Sequence, residues 1–127
     1  MFEKLELTRM AQALAAQSGA RMAVIAENVA NADTPGYKAK DVPPFAEVYE
    51  EAGLELRATR PGHLGAPEDA MTSIPDVTRG HESPNGNSVS LEAEMVKSVE
   101  ARQNHEMALA IYRATSDVIR ASLGRSR

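Results

Sequence analysis

The first 31 residues predict a helix that the rest of the chain can cover only in part. Residues 3–31 contain no proline and one glycine, Gly19, and they are rich in alanine, the strongest helix former. At 100° per residue, apolar and small side chains fall in one narrow stripe that is typical of a coiled-coil seam. A helix of this length spans roughly 43 Å. We therefore expect the stripe to contact other subunits; it consists of Leu7, Ala11, Leu14, Ser18, Met22, Ile25 and Val29.

Large apolar side chains are scarce in the remaining sequence. The 127 residues include two phenylalanines, three tyrosines and no tryptophan. Alanine supplies much of the apolar content, and an alanine buries little area. A globule built from this composition alone would be marginally stable. Contacts with neighbouring chains would supply the missing apolar burial.

A second long helix is predicted from residue 91 to residue 123. Ser90 is a suitable N-cap, and Gly124 follows the last periodic residue as a stop. The larger apolar side chains form two groups that point in different directions. Such drift is expected of a helix that contacts several neighbours or winds round a superhelix. We assign both groups to subunit interfaces: Leu91, Met95 and Val99 in the first, and Met107, Ile111 and Val118 in the second.

The segment between the helices is rich in proline, glycine and acidic residues. Residues 40–88 hold six of the seven prolines and five of the eight glycines, and they show little periodicity beyond a strand-like piece at 54–58. The predicted fold class is mainly α, with long N-terminal and C-terminal helices packing as a coiled-coil-like pair in one helical domain. Its regions are 1–39, the first helix and its turn; 40–88, an irregular acidic middle; and 89–127, the second helix.

The first helix leads into the sequence NVANADTPGYKA at residues 28–39. Its Pro-Gly pair predicts a type II turn, because proline presets the first central position and glycine supplies the positive φ of the second. We expect Asn31 to end the helix in the left-handed conformation and Asn28 to hydrogen-bond backbone across a contact. The turn sets the direction in which the chain leaves the helix. Its residues are Asn28, Asn31, Thr34, Pro35, Gly36 and Tyr37.

Charge and composition argue against several functions. The net charge of −4 disfavours nucleic acid and anionic membranes as partners, and the absence of cysteine excludes disulfides and thiolate metal sites. Charged residues near the N-terminus leave no apolar stretch for a cleaved signal peptide. His105-Glu106 begins like an H-E-x-x-H zinc motif, but Leu109 occupies the second histidine position. We predict no catalytic residue, metal, cofactor or small-molecule substrate.

Three stretches of the chain resemble the bacterial flagellar rod and hook axial proteins. Residues 28–38 are similar to the signature that follows the N-terminal helix in that family. Residues 59–64 (TRPGHL) and 85–95 (NGNSVSLEAEM) look like segments of one of the family's two short proximal rod members. The short chain length also fits these members, because distal rod and hook members carry larger inserted domains.

The resemblance implies a structural subunit of the flagellar basal body, placed in the periplasmic rod, and not an enzyme. It also implies export by the flagellar type III apparatus without a cleaved signal peptide. The partners it implies are further copies of the chain, the membrane-proximal adaptor and the next rod protein. Two alternatives stay open: an α-helical export chaperone or adaptor, expected as a stable soluble dimer, and the other short proximal rod member of the same family. A cell-wall hydrolase is the enzymatic option, and it fails for lack of a paired-carboxylate scaffold.

Overall fold

A computed structural model of the chain describes residues 2–54, 74–75 and 82–124. Its elements, in chain order, are α1 (Phe2–Ala30), β1 (Lys40–Asp41), α2 (Phe45–Leu54), β2 (Ile74–Pro75) and α3 (Leu91–Leu123). The helices α1 and α3 pack against each other and run antiparallel, since Ala15 lies beside His105 whereas Asn28 lies beside Glu94. The predicted mainly helical fold with a long helical pair is confirmed.

Both long helices begin and end close to the predicted residues. α1 ends at Ala30, one residue before the predicted end, and α3 spans the predicted range. Ser90 is the N-cap of α3, where its hydroxyl oxygen accepts a hydrogen bond from the Ala93 N–H at 3.4 Å. Gly124 is the C-cap, and its N–H donates to the Arg120 carbonyl at 2.6 Å.

Small side chains at seven-residue spacing form the contact between α1 and α3. They permit close approach of the two backbones but bury little apolar area, so they make a tight contact with a small hydrophobic contribution. The α1 members belong to the predicted stripe, whereas the α3 members were not predicted because none is a large apolar residue. We call these buried residues the seam: Ala11, Ser18 and Ile25 on α1, and Ala101, Ala108 and Thr115 on α3.

The middle segment contributes two short strands and a helix. β1 and β2 pair antiparallel, with Lys40 opposite Pro75 and Asp41 opposite Ile74. α2 was not predicted from the sequence; it starts after Pro44, whose carbonyl accepts the N–H groups of Glu47 and Val48. The strand-like piece at 54–58 begins on the last residue of α2 and otherwise lies outside the described residues, as does the resemblance at 59–64.

Candidate functional site

The predicted turn after α1 is present with the expected geometry. The Tyr37 N–H donates to the Thr34 carbonyl at 3.2 Å, and Gly36 has a φ of 72°. These are the closing hydrogen bond and the positive φ of a type II turn. The chain therefore leaves α1 in a direction that the Thr-Pro-Gly-Tyr sequence specifies locally.

Asn31 ends the helix by a different device from the predicted one. No residue other than glycine has a positive φ in the described part of the chain, so the left-handed conformation predicted for Asn31 is wrong. Instead its side-chain amide donates to the Glu27 carbonyl at 2.8 Å, and its side-chain oxygen accepts the Thr34 hydroxyl at 3.2 Å. The Glu27 carbonyl also accepts the Asn31 backbone N–H at 3.1 Å, so the side chain adds a second hydrogen bond at the end of the helix.

Asn28 is fully buried and uses its whole side chain to join α1 to the strand β1. Its amide donates to the Lys40 carbonyl at 2.7 Å, while its oxygen accepts the Lys40 N–H at 3.0 Å. The Tyr37 hydroxyl donates to the same oxygen at 3.2 Å, and burial is the main cause that raises the pKa of that hydroxyl. The predicted backbone bonding by Asn28 is confirmed.

Glu94 meets Asn28 across the two long helices. The Asn28 amide donates to the Glu94 Oε2 at 3.0 Å, and the Lys97 ammonium donates to the Glu94 Oε1 at 3.1 Å. Glu94 is 2% exposed, and its burial was not predicted from the sequence. Its position seven residues before Ala101 was the available signal, because it continues the seam into the first turn of the helix.

A chain of charges extends from Glu94 back to α1 through β1. Lys97 contacts Asp41 Oδ2 at 3.1 Å, and Arg21 donates to Asp41 Oδ1 at 3.3 Å. Burial alone would raise the pKa of Asp41, but bonds from Lys97 and the Val42 N–H, with the charge of Arg21, hold it below its usual value. Burial likewise opposes the charged form of Lys97, yet bonds to Asp41 and Glu94 raise its pKa.

A second loop, at the C-terminal end of the middle segment, hydrogen-bonds to the turn. We call residues 85–88 the clamp. The buried Asn87 amide nitrogen lies 2.9 Å from the carbonyl oxygens of Asn31 and Ala32 and 2.8 Å from that of Thr34. Its two hydrogens are shared among these three acceptors, which caps the end of α1. Its side-chain oxygen accepts the Val89 N–H at 2.8 Å and so also organises the entry to α3.

Backbone bonds complete the contact between the clamp and the turn. The Gly36 N–H donates to the Asn85 carbonyl and the Ser88 N–H donates to the Tyr37 carbonyl, both at 3.0 Å. The sequence identified residues 85–88 only as turn punctuation and as part of a resemblance. Their partners lie about fifty positions earlier in the chain, and local patterns contain no information on such a pairing.

The predicted interface residues of α1 divide into covered and uncovered ones. Ala11, Ser18 and Ile25 are buried by the chain's own packing, and Leu14 and Met22 are half-buried. Leu7 and Val29 are exposed. Within one chain, the predicted stripe is therefore used mainly for the α1–α3 contact, and it leaves apolar surface uncovered at its two ends.

The predicted interface residues of α3 are mostly uncovered. Met95, Val96 and Val99 are 69%, 60% and 66% exposed. From the helical repeat, the predicted group of Leu91, Met95 and Val99 lies on one flank of the seam, and the group around Met107 and Val118 lies on the other. Val96 was not among the predicted residues and lies between the two groups, on the side of α3 away from the seam. Ile111 is half-buried, and the exposed members of the two predicted groups are Leu91, Met95, Val99, Met107 and Val118.

The described residues offer no arrangement suited to metal binding. Among them, His, Asp and Glu side chains form no cluster of three that could hold an ion. His105, the residue of the incomplete zinc motif, instead has its Nδ1 3.2 Å from the Ala15 carbonyl across the helical pair. None of the helices in these residues is both long and apolar enough to cross a membrane.

Comparison with known proteins places this architecture in a family. Residues 10–38, which run from the middle of α1 through the turn, match the family described as "Flagella basal body rod protein". A flagellar basal body rod protein FlgB of Agrobacterium fabrum is 32% identical over 111 residues, covering 83% of each chain. FlgB of Salmonella typhimurium is 28% identical over 101 residues, covering 72% of this chain and 73% of the relative.

A third relative matches over a shorter stretch. FlgB of Aeromonas hydrophila is 43% identical over 54 residues, or 39% of this chain. The region that matches the family description, residues 10–38, contains most of α1 and the turn that Asn28, Asn31 and Asn87 hold in place. The chain belongs to the flagellar basal body rod protein family.

Proposed function

We propose that this chain, a structural subunit of the flagellar basal body rod, forms the proximal part of the rod and polymerises through the exposed faces of α1 and α3. The observation that carries the proposal is the apolar surface of α3, where Met95, Val96 and Val99 are each at least 60% exposed. Contiguous apolar surface of this kind is typical of protein–protein contact sites.

The placement of the exposed residues favours an open polymer. One apolar group of α3 lies on each flank of the seam, and the two groups differ in sequence. Two unlike surfaces on one subunit make heterologous contacts, which generate helical assemblies when the rotation does not close. Leu7 and Val29 would add contacts at the two ends of α1.

The names of the relatives support the position within the rod. All three relatives described above carry the name FlgB, and none is the sister short rod protein. We further propose that the chain contacts the membrane-proximal adaptor and the next rod protein, and that the flagellar type III export apparatus delivers it.

Substitution of Val99 separates assembly from folding and from export. Val99→Asp places a charge on the exposed surface of the lone chain. We therefore expect its free energy of unfolding to change by no more than ~0.5 kcal/mol and its helix content to stay unchanged. In cells, the variant should be exported but should not form rods, because a subunit contact would bury an unpaired carboxylate.

The matched control is Val99→Leu, which keeps the position apolar and should allow rods to form. The readouts are electron microscopy of basal bodies, swimming motility and the amount of chain outside the cytoplasm. Normal rods with Val99→Asp would refute the α3 interface. Loss of export with both variants would refute the separation of export from assembly.

A further inference from the structure

We propose that the buried Asn28–Glu94 pair selects one axial alignment of α1 and α3 from several that the seam permits. The seam repeats every seven residues on both helices, and all its members except Ile25 are small. Sliding one helix by seven residues brings seam positions opposite seam positions again. Packing of small side chains therefore distinguishes these alignments only weakly, and a polar contact is needed to choose.

Three contacts mark the alignment in the structure, and they differ in burial. The His105 Nδ1 lies 3.2 Å from the Ala15 carbonyl, and an Arg21 nitrogen lies 3.9 Å from a carboxylate oxygen of Glu100, whose side chain is 58% exposed. An exposed group such as Glu100 can exchange one partner for another or for water at little cost, and the His105 contact is only partly buried. The Asn28–Glu94 bond at 3.0 Å joins two residues with almost no exposed surface.

A shifted alignment would leave buried polar groups without their partners. A slip of seven residues moves Glu94 about 10 Å along α1. In one direction Glu94 passes the end of α1, and in the other it reaches the level of Arg21, which Asp41 already engages. In both cases the Asn28 amide loses its carboxylate acceptor, and an unsatisfied buried polar group is costly. No buried side-chain polar atom lacks a partner in the observed alignment of the described residues.

The clamp is a second contact that constrains the same end of the helical pair. The test leaves the clamp unchanged. Asn87 holds the entry to α3 against the end of α1 through backbone carbonyls. It could fix the alignment without help from Glu94. The experiment must therefore show what happens when only the Asn28–Glu94 bond is removed.

Cysteine pairs can report the alignment because the natural sequence contains no cysteine. Ala15→Cys with His105→Cys reports the observed alignment. Ala15→Cys with Ser98→Cys, or with Tyr112→Cys, reports a slip of seven residues in either direction, and a disulfide requires Cα atoms within about 7 Å. Each pair is introduced into the full-length chain, once with the natural Glu94 and once with Glu94→Ala. Disulfide yields are measured by electrophoresis at low protein concentration. Trimethylamine oxide is present in all samples because it favours the compact state.

We expect the 15–105 pair to dominate when Glu94 is present. With Glu94→Ala, helix content by circular dichroism should be retained, while slipped-pair yields rise roughly tenfold, equivalent to about 1.4 kcal/mol. Glu94→Gln keeps a side-chain oxygen for the Asn28 amide and should restore the single alignment. Glu106→Ala, which removes an exposed carboxylate from the same helix, should leave all yields unchanged.

Several outcomes would overturn the proposal. One is a Glu94→Ala chain in which the 15–105 disulfide still gives the highest yield, since the clamp or the seam would then fix the alignment without Glu94. Another is equal yields from all three pairs with the natural Glu94. If Glu94→Ala loses its helix content, Glu94→Leu refills the volume and takes the same test. Loss of helix there too, or retention of the single alignment, would likewise overturn the proposal.

Discussion

Single residues at the junction of turn and clamp have conformations that few substitutions tolerate. Gly36 and Gly86 have φ values of 72° and 81°, and a Cβ on Gly86 would lie 3.4 Å from the Gly36 Cα. The Asn87 side-chain amide hydrogen-bonds to three backbone carbonyls at and just after the C-terminus of α1. The two loops thus meet backbone to backbone, which explains why glycine and asparagine occupy these positions.

Replacement of Gly36 tests the turn through its backbone conformation alone. Gly36→Val should lower the free energy of unfolding by about 2 kcal/mol, because a β-branched residue at positive φ is strained. A Cβ at this position meets no atom within 4 Å, so the first added carbon causes no steric conflict and the strain lies in the backbone. Gly19→Ala is the control: its Cβ also meets open space, and helix propensity should make it stabilising by up to ~1 kcal/mol. Urea unfolding in the presence of trimethylamine oxide, which favours the folded state, measures both free energies. A Gly36→Val chain as stable as the natural one would contradict the turn assignment.

Asn87 should matter through its donor groups. Asn87→Ala leaves three carbonyls and the Val89 N–H without a side-chain partner, and we expect a loss of about 1–3 kcal/mol in the free energy of unfolding. Asn87→Asp keeps the acceptor for Val89 but directs a carboxylate at the carbonyls. Asn87→Asp should therefore lower the free energy of unfolding at neutral pH at least as much as Asn87→Ala does. The control Gln103→Ala, on the exposed face of α3, should leave that free energy unchanged. An Asn87→Asp chain as stable as the natural one would refute this role.

At the scale of elements, small residues hold the helical pair together and larger apolar residues face outward. Ile25 belongs to the seam, so Ile25→Asp would disturb the chain's own α1–α3 contact as well as any assembly. Met22 is half-buried, so a charge there would also disturb both the α1–α3 contact and assembly. Exposed positions such as Val99 are the better test of subunit contacts, because the lone chain leaves them uncovered.

The charge chain between α1, β1 and α3 should make the helical pair sensitive to acid. The pKa of Asp41 is lower in the folded chain than its ordinary value of 3.8. Its contribution to the free energy of unfolding is therefore complete above that value and is lost as pH falls through the folded pKa. Asp41→Asn should lower stability at neutral pH and reduce the acid-induced loss, as measured by thermal unfolding in trimethylamine oxide between about pH 2 and pH 7. Identical acid profiles would contradict a paired Asp41.

At the scale of the whole molecule, the hydrophobic core is small. The buried apolar residues among those described are mostly alanine: Ala11, Val24, Ile25, Ala39, Val42, Ala101 and Ala108. Buried polar residues such as Gln17, Asn28 and Glu94 occupy much of the remaining interior. Their hydrogen bonds define the geometry but add only modestly to net stability. A fold of this composition depends on further burial supplied by assembly.

The isolated chain should accordingly be poorly ordered and should gain helix when it assembles. We expect low helix content and a broad thermal transition by circular dichroism at micromolar concentration, with helix content rising on addition of trimethylamine oxide or on polymerisation. A fully helical chain with a sharp, concentration-independent transition would contradict this prediction, because the seam alone would then suffice for stability.

Local sequence was enough to determine the two long helices, the type II turn at Pro35-Gly36 and the backbone bonding of Asn28. These features depend on alanine content, on dihedral preferences of proline and glycine, and on groups at most twelve residues apart. The α3 half of the seam, the burial of Glu94 and the pairing of the clamp with the turn were decided by tertiary structure. They join residues about fifty or more positions apart, and only the packed helices bring such groups into one low-dielectric contact where an asparagine or a carboxylate must find its partner.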